Sequence, residues 1–264
     1  MINLFTPCKN LLLRFFVITL FLLTLFGRAD AQVSLYSFSS NSGTYTPISG
    51  GTYLSAVGAA NDDNYATGFP IGFQFNYNGT YYTKFNMNAN GYLSFSASTA
   101  TSYYGTSVQS VVNGLHPFNA DLLGSAPTCE IEFLTTGTPG SRVFTLQWKD
   151  WGFYTATGGT GAEINFQIKL FEGTNVIQFV YAPGTAPITA HLLEVGLTGT
   201  LTTDFNSRQT TTNWAATTAT TANTQQMTYN SLVFPASGLT YTFTPPTSTI
   251  TSTTTGGLWS NTAT

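Results

Sequence analysis

Few residues in this chain could carry chemistry. Asn61-Asp62-Asp63-Asn64 is a run of oxygen ligands. Ca²⁺ takes about six to eight oxygens, partly from carboxylates. Asp62 and Asp63, with backbone carbonyls and Asp121, could contribute to such a shell. The plainer reading is an Asx-type turn, in which these side chains bond their own backbone. Glu130-x-Glu132 puts two carboxylates on one face of a strand. Jelly-roll glycosidases use Glu-x-Asp-x-x-Glu, because a nucleophile and an acid must stand about 5 Å apart. Here the middle position is Glu132 and the last is Thr135, so a carboxylate is missing. A solvated strand face is the expectation. Asn86-x-Asn88-x-Asn90-Gly91 has the spacing of a Ca²⁺ loop, but its side chains are neutral and its twelfth residue is Ala97. It reads as a strand end followed by a turn.

The aromatics form the second group. Tyr81-Tyr82, Tyr103-Tyr104, Trp148, Trp151, Phe153 and Tyr154 exceed what one strand face can bury. Flat exposed rings among Trp148, Trp151, Tyr154, Tyr103 and Tyr104 would stack on a sugar or anchor a protein partner. The alternative is a strand covered on both faces. His116 and His191 are isolated, with no Cys/His pattern to hold zinc. Cys129 lies in an alternating run and reads as a small buried hydrophobe, with nothing basic nearby to activate its thiol. There is no Gly-rich phosphate loop and no serine nucleophile elbow.

The elements that must position these residues are strands. Apolar residues alternate with polar ones, with no useful helical period after the N-terminal segment. Ile71, Phe73, Phe75 and Tyr77 share one face; Tyr81, Thr83, Phe85 and Met87 share a face of the next strand. Asn78-Gly79 between them is a hairpin turn, because both residues tolerate positive φ. Further strands are expected at Cys129–Leu134, Arg142–Trp151, Glu163–Glu172, Asn175–Tyr181, Glu194–Gly199 and Leu239–Thr244. Ile164, Phe166, Ile168 and Leu170 form one apolar face, and Gly173-Thr174 turns that strand into the next. Short strands with frequent turns predict an all-β fold, an antiparallel β-sandwich of jelly-roll-like type over residues 32–244.

Only 7% of the 264 residues are charged, against about a quarter on average. Thr, Ser, Asn and Gln solubilise the outer strand faces instead. Residues 1–31 read as a secretory signal peptide: Lys9 and Arg14, then apolar Phe15–Phe26, then Ala29-Asp30-Ala31 before Gln32. The apolar core is shorter than the roughly 20 residues a span needs, so no membrane span is expected after cleavage. Losing Lys9, Arg14, Arg28 and Asp30 leaves five basic and ten acidic residues. That balance excludes a nucleic-acid binder, which needs a basic face. Cys129 is then the only cysteine, so no intrachain disulfide is expected.

Thr210–Thr224 holds eight threonines in fifteen residues. It reads as an exposed loop or edge anchored by Trp214, or else as a linker or glycosylated stalk. Residues 245–255 read as a Pro/Thr-rich linker. Residues 256–264, with Trp259, read as the truncated start of a further module.

Several segments together resemble a known family. They are Tyr45-Thr46-Pro47-Ile48-Ser49-Gly50-Gly51-Thr52, Ile71–Thr80, Asn90-Gly91-Tyr92-Leu93-Ser94-Phe95, Arg142–Lys149, Phe166–Leu170 and Asn175–Tyr181. Over residues 36–244 the order is similar to an N-terminal β domain of secreted and cell-surface proteins of Bacteroidetes. The order, with His116-Pro117-Phe118-Asn119-Ala120-Asp121, also distantly resembles nidogen-type extracellular domains; Asn119 stands where those domains often have Trp. The resemblance implies a multidomain extracellular protein exported by type IX secretion, and it brings no catalytic residues. The expected function is a noncatalytic adhesion or display module that meets an extracellular protein or a glycan. The alternatives are a carbohydrate-binding module of a secreted enzyme and a secreted glycosidase.

Overall fold

The computed structural model describes residues 32–54, 62–96, 111–155, 158–159, 161, 163–201, 203–224 and 226–247. The expectations for residues 1–31, for Tyr103 and Tyr104, and for 248–264 fall outside the described residues. Among the described residues seventeen strands follow in chain order: β1 (Ser37–Ser42), β2 (Thr52–Tyr53), β3 (Tyr65–Tyr77), β4 (Thr80–Asn88), β5 (Tyr92–Ser94), β6 (Gly114–Asn119), β7 (Leu122–Leu123), β8 (Glu130–Thr136) and β9 (Val143–Thr155). Then come β10 (Gly158–Gly159), β11 (Ile164–Phe171), β12 (Ile177–Pro183), β13 (His191–Thr198), β14 (Phe205–Gln209), β15 (Thr218–Ala219), β16 (Met227–Tyr229) and β17 (Leu239–Thr244). The described helical content is two 3₁₀ turns, Val33–Leu35 and Trp214–Ala216. No described helix is long and apolar enough to cross a membrane.

The strands form two antiparallel sheets that make a β-sandwich. One runs β1-β17-β12-β11-β9-β8-β2, with β7 and β10 also on β9; the other runs β15-β14-β13-β6-β5-β4-β3, with β16 on β13. Period-two alternation turns one face of each strand inward. Ile164, Phe166, Ile168 and Leu170 of β11 are fully buried, and Ile71, Phe73, Phe75 and Tyr77 of β3 are buried. Asn78 and Gly79 take φ of 51° and 78° and close the β3–β4 hairpin, as their residue types require.

The expected face of β4 is half right. Phe85 and Met87 are buried, but Tyr81 is exposed, and Tyr82 stacks inward on Phe95 at 4.7 Å. The β3–β4 register shifts between Pro70 and Phe75, and a bulge of that kind reverses which parity faces the core.

Glu132 also departs from expectation. It is fully buried on the outer face of the first sheet, in register with Gln147, which is in register with Gln167; both glutamines are fully buried too. A strap of residues 43–51 crosses this polar row. Gln167 Nε2 donates to Thr46 O at 2.8 Å, Ile48 N donates to Gln147 Oε1 at 3.0 Å, and Gly51 N donates to Glu132 Oε1. A Cβ on Gly51 would run into the Phe133 carbonyl, so glycine is needed where the strap meets β8.

The registers set two ends. Ser37 pairs with Thr244 and Val33 N donates to Asp204 Oδ2, so the described chain enters and leaves at one end. Pro183 pairs with Ile164, His191 with Tyr229 and Leu122 with Phe153 toward the opposite end.

Candidate functional site

The opposite end carries the acidic group. Asp62 forms an antiparallel bridge to Leu123 of β7, which pairs with Gly152 of β9. Asp121 precedes β7, and its carbonyl accepts from Tyr154 N at 2.9 Å. Asp63 takes φ of 46°, a left-handed conformation that Asp tolerates better than most residues. Asn90 ties these pieces together: its Nδ2 donates to Asp63 Oδ1 at 2.8 Å and its Oδ1 accepts from Leu122 N at 2.7 Å. The adjacent Gly91 sits against the Phe118 carbonyl, where a Cβ would clash.

One carboxylate oxygen from each of Asp62, Asp63 and Asp121 lies within 4.8 Å of the others. With Tyr154 they line a cavity of about 190 Å³. Burial, followed by the charges of Asp63 and Asp62, pushes the Asp121 carboxyl up to about 6. Burial, with the Asp63 charge behind it, also raises Asp62. Asp62 Oδ1 is buried without a hydrogen-bond partner. The described ion pairs lie elsewhere: Arg142–Glu172 at 2.6 Å and Lys149–Glu130 at 3.0 Å.

Such a group can do two things. Oxygens up to 4.8 Å apart suit opposite positions on an ion with about 2.4 Å bonds, which is the Ca²⁺ range. The spacing also approaches the roughly 5 Å of a retaining carboxylate pair. A cavity of about 190 Å³ is small for that second task, since ligand pockets run to about 300 Å³ and more.

The structure brings Asp62, Asp63, Asp121 and Tyr154 together, while Trp148 and Trp151 do not line their cavity. Trp148 and Trp151 are 0% and 1% exposed, so the row of exposed rings is corrected: these two belong to the core. Trp148 stacks on Phe166 at 4.9 Å, and Trp151 Nε1 donates to Glu130 O at 3.1 Å. The physical reason is a bulge in β9: Asp150 takes φ of 56° and the register on β11 shifts between Ile164 and Phe166, which lets Trp148 and Trp151, three positions apart, both turn inward. Tyr154, at its end, is 43% exposed. Cys129 is half-buried just before β8 and donates to Gly124 O at 3.1 Å, with its thiol raised chiefly by burial.

By residue type and spacing Asn90 reads only as a turn residue. Its tie to Asp63 spans 27 positions, from the turn between β4 and β5 to the segment just before β3. The buried network of His116, Asn119, Glu194 and Ser207 was likewise not visible as a unit. The register of β6 on β13 assembles its first three members, and β14 on β13 adds the fourth.

A family model described as NIDO related matches residues 35–245, most of the chain and every described strand of the sandwich. The chain belongs to the NIDO-related family. The match begins at Leu35, two residues before β1, and ends just after β17, so the NIDO-related unit includes both sheets and the strap. No curated protein and no solved structure matches the chain.

Proposed function

We propose that this NIDO-related chain is a noncatalytic extracellular β-sandwich module for adhesion or display. The observation that carries it is the polarity of the sandwich. The described chain enters and leaves at the Ser37–Thr244 end, and the acidic group with Tyr154 stands at the other. A rigid two-sheet frame tethered at one end presents loops at the other, and loops on a scaffold are where binding residues concentrate. The signal-like residues 1–31 support export, and the resemblance to Bacteroidetes surface proteins supports type IX secretion as the route. Asp62, Asp63 and Asp121 would hold Ca²⁺ and stiffen the presenting end. The low charge of the surface leaves contacts to hydroxyls, amides and single exposed rings, which suits a protein or glycan surface.

The test is export of the full chain. Intact cells are treated with protease, and the N-terminus of the surface form is determined by mass spectrometry. A protease-sensitive surface form beginning at Gln32 is expected. A chain retained inside the cell with residues 1–31 intact overturns the reading.

A further inference from the structure

The threonine-rich segment after β14 forms a defined wall. Trp214 is 1% exposed, its Nε1 donates to Thr228 O at 2.9 Å, and its carbonyl accepts from the Tyr241 hydroxyl. Thr210 Oγ1 accepts from the amides of Thr212 and Asn213 at 3.2 and 3.0 Å. Thr228 N donates to Thr210 O at 2.9 Å, which ties the segment to β16. The wall is therefore held by a buried ring and by backbone bonds, and it faces β13.

Between this wall and β13 lies a groove of about 520 Å³. Leu192, Gln209, Thr210, Thr211, Thr218 and Gln226 line it, and none of the lining side chains carries a charge. The nearby Arg208 is 8% exposed and directed elsewhere: its guanidinium lies 3.8 Å from the centre of the Phe38 ring and donates to Thr217 O at 2.8 Å. Leu192 is 58% exposed and offers an aliphatic surface. Hydroxyls and amides supply both donors and acceptors. The volume falls in the range of small-molecule sites, about 300–1,000 Å³.

We propose that this groove binds a neutral oligosaccharide. A sugar presents hydroxyls that both donate and accept, which matches Gln209, Gln226 and the threonines. It also has a C–H face, which matches Leu192. An anionic or cationic ligand would lose hydration without gaining a counter-charge. The inference rests on the reading of the chain as an extracellular binding module, but it uses a different surface from the acidic end and different chemistry from stacked aromatics.

The test is titration of the ¹⁵N-labelled chain with maltohexaose, cellohexaose and xylohexaose up to about 10 mM, enough to reveal a site of millimolar Kd. At least one should give saturable shifts at Gln209–Thr212, Thr218 and Gln226. The double variant Gln209→Ala/Gln226→Ala should weaken it about tenfold, and Leu192→Asp should abolish it. Unchanged spectra elsewhere would show that both variants fold. The assignment is overturned by no saturable shift with any of the three sugars, by shifts confined to other surfaces, or by equal response to a neutral Gly/Ser hexapeptide. An exported chain without groove shifts overturns this inference alone. Groove shifts in a chain that is never exported overturn the export reading alone.

Discussion

The Tyr45 hydroxyl donates to Gln147 Oε1 at 3.1 Å, joining residues 102 positions apart. The same oxygen accepts from Ile48 N and from Gln167 Nε2, at 3.0 and 2.9 Å. One side-chain oxygen thus holds the strap at two points, Tyr45 and Ile48, and is tied to the sheet through Gln167, above a row of buried polar groups. Gln147 Nε2, Gln167 Oε1 and Glu132 Oε2 have no hydrogen-bond partner there. The strap covers polar atoms it does not fully satisfy, so it is held by a small number of bonds at the middle of the sheet.

Replacing Gln147 by Ala should therefore release the strap before it unfolds the sandwich. Removing one partner of a buried hydrogen bond costs about 1–3 kcal/mol for each group left unsatisfied. The expected loss in urea unfolding is about 2–4 kcal/mol, since some stranded donors regain water when the strap lifts. Hydrogen exchange at the Ile48 amide should accelerate far more than at Ile168 in the core. Equal acceleration at both sites would mean that the strap and the sheet open as one unit.

Trp148 and Trp151 make a matched pair. Both are buried, but Trp151 Nε1 donates to Glu130 O while Trp148 Nε1 has no partner. Alanine at either position should cost about 3–5 kcal/mol through the cavity left behind. Phenylalanine should separate them. At Trp148 it removes an unpaired donor along with volume; at Trp151 it removes a made bond. Trp151→Phe should be the more destabilising by about 1 kcal/mol, measured by denaturant unfolding. The reverse order would show that volume decides both.

Ca²⁺ should stabilise the chain through the acidic end. Binding to the folded state alone adds about 2.7 kcal/mol at a hundredfold excess over Kd. Asp121→Asn and Asp63→Asn should each remove most of the rise in Tm. Protons should compete: Asp121 is raised to about 6, so the Ca²⁺ effect should weaken as pH falls through that value. A Tm that Ca²⁺ does not move at pH 7.5 would leave the three carboxylates without an ion.

Most of the frame was legible from residue types. Asn78-Gly79 required its turn, and the alternation Ile164-x-Phe166-x-Ile168-x-Leu170 required one buried face; both are local facts of conformation and period. The face of Tyr81 and Tyr82 was not legible, because a bulge inserts residues without marking its position by type. The burial of Glu132 was hidden for a different reason: the cover comes from residues 43–51, about eighty positions earlier, and alternation reports only which side a residue faces. Asp62, Asp63 and Asp121 were named from oxygen content. Their meeting depends on the Asp62–Leu123 bridge, a pairing that no local pattern signals.

The buried pair His116 and Glu194 should shape stability against pH. Burial holds Glu194 up at about 8, above its ordinary 4.5, and drops His116 to about 3 from 6.5. Both are therefore neutral near pH 6, with His116 Nε2 3.2 Å from Thr198 Oγ1 and Ser207 Oγ donating to Glu194 Oε1 at 3.4 Å. Between pH 4.5 and 8 the folded state holds a proton on Glu194 that the unfolded chain has released. Stability from this group is thus fully present below 4.5 and is lost as pH rises through about 8. For His116 the unfolded chain is the one that gains a proton between 6.5 and 3, so stability falls as pH drops through that window. The two slopes oppose each other from 4.5 to 6.5, and only the Glu194 fall remains from 6.5 to 8. Asp121 adds a separate fall below about 6, so the comparison must be made against Glu194→Gln. Urea unfolding from pH 5 to 8.5 should show wild-type stability declining relative to the variant up to about pH 8, because the His116 and Asp121 slopes are common to both proteins and cancel in the difference. Parallel curves would mean that Glu194 and His116 exchange a proton and form an ion pair instead, leaving no net uptake to drive the decline.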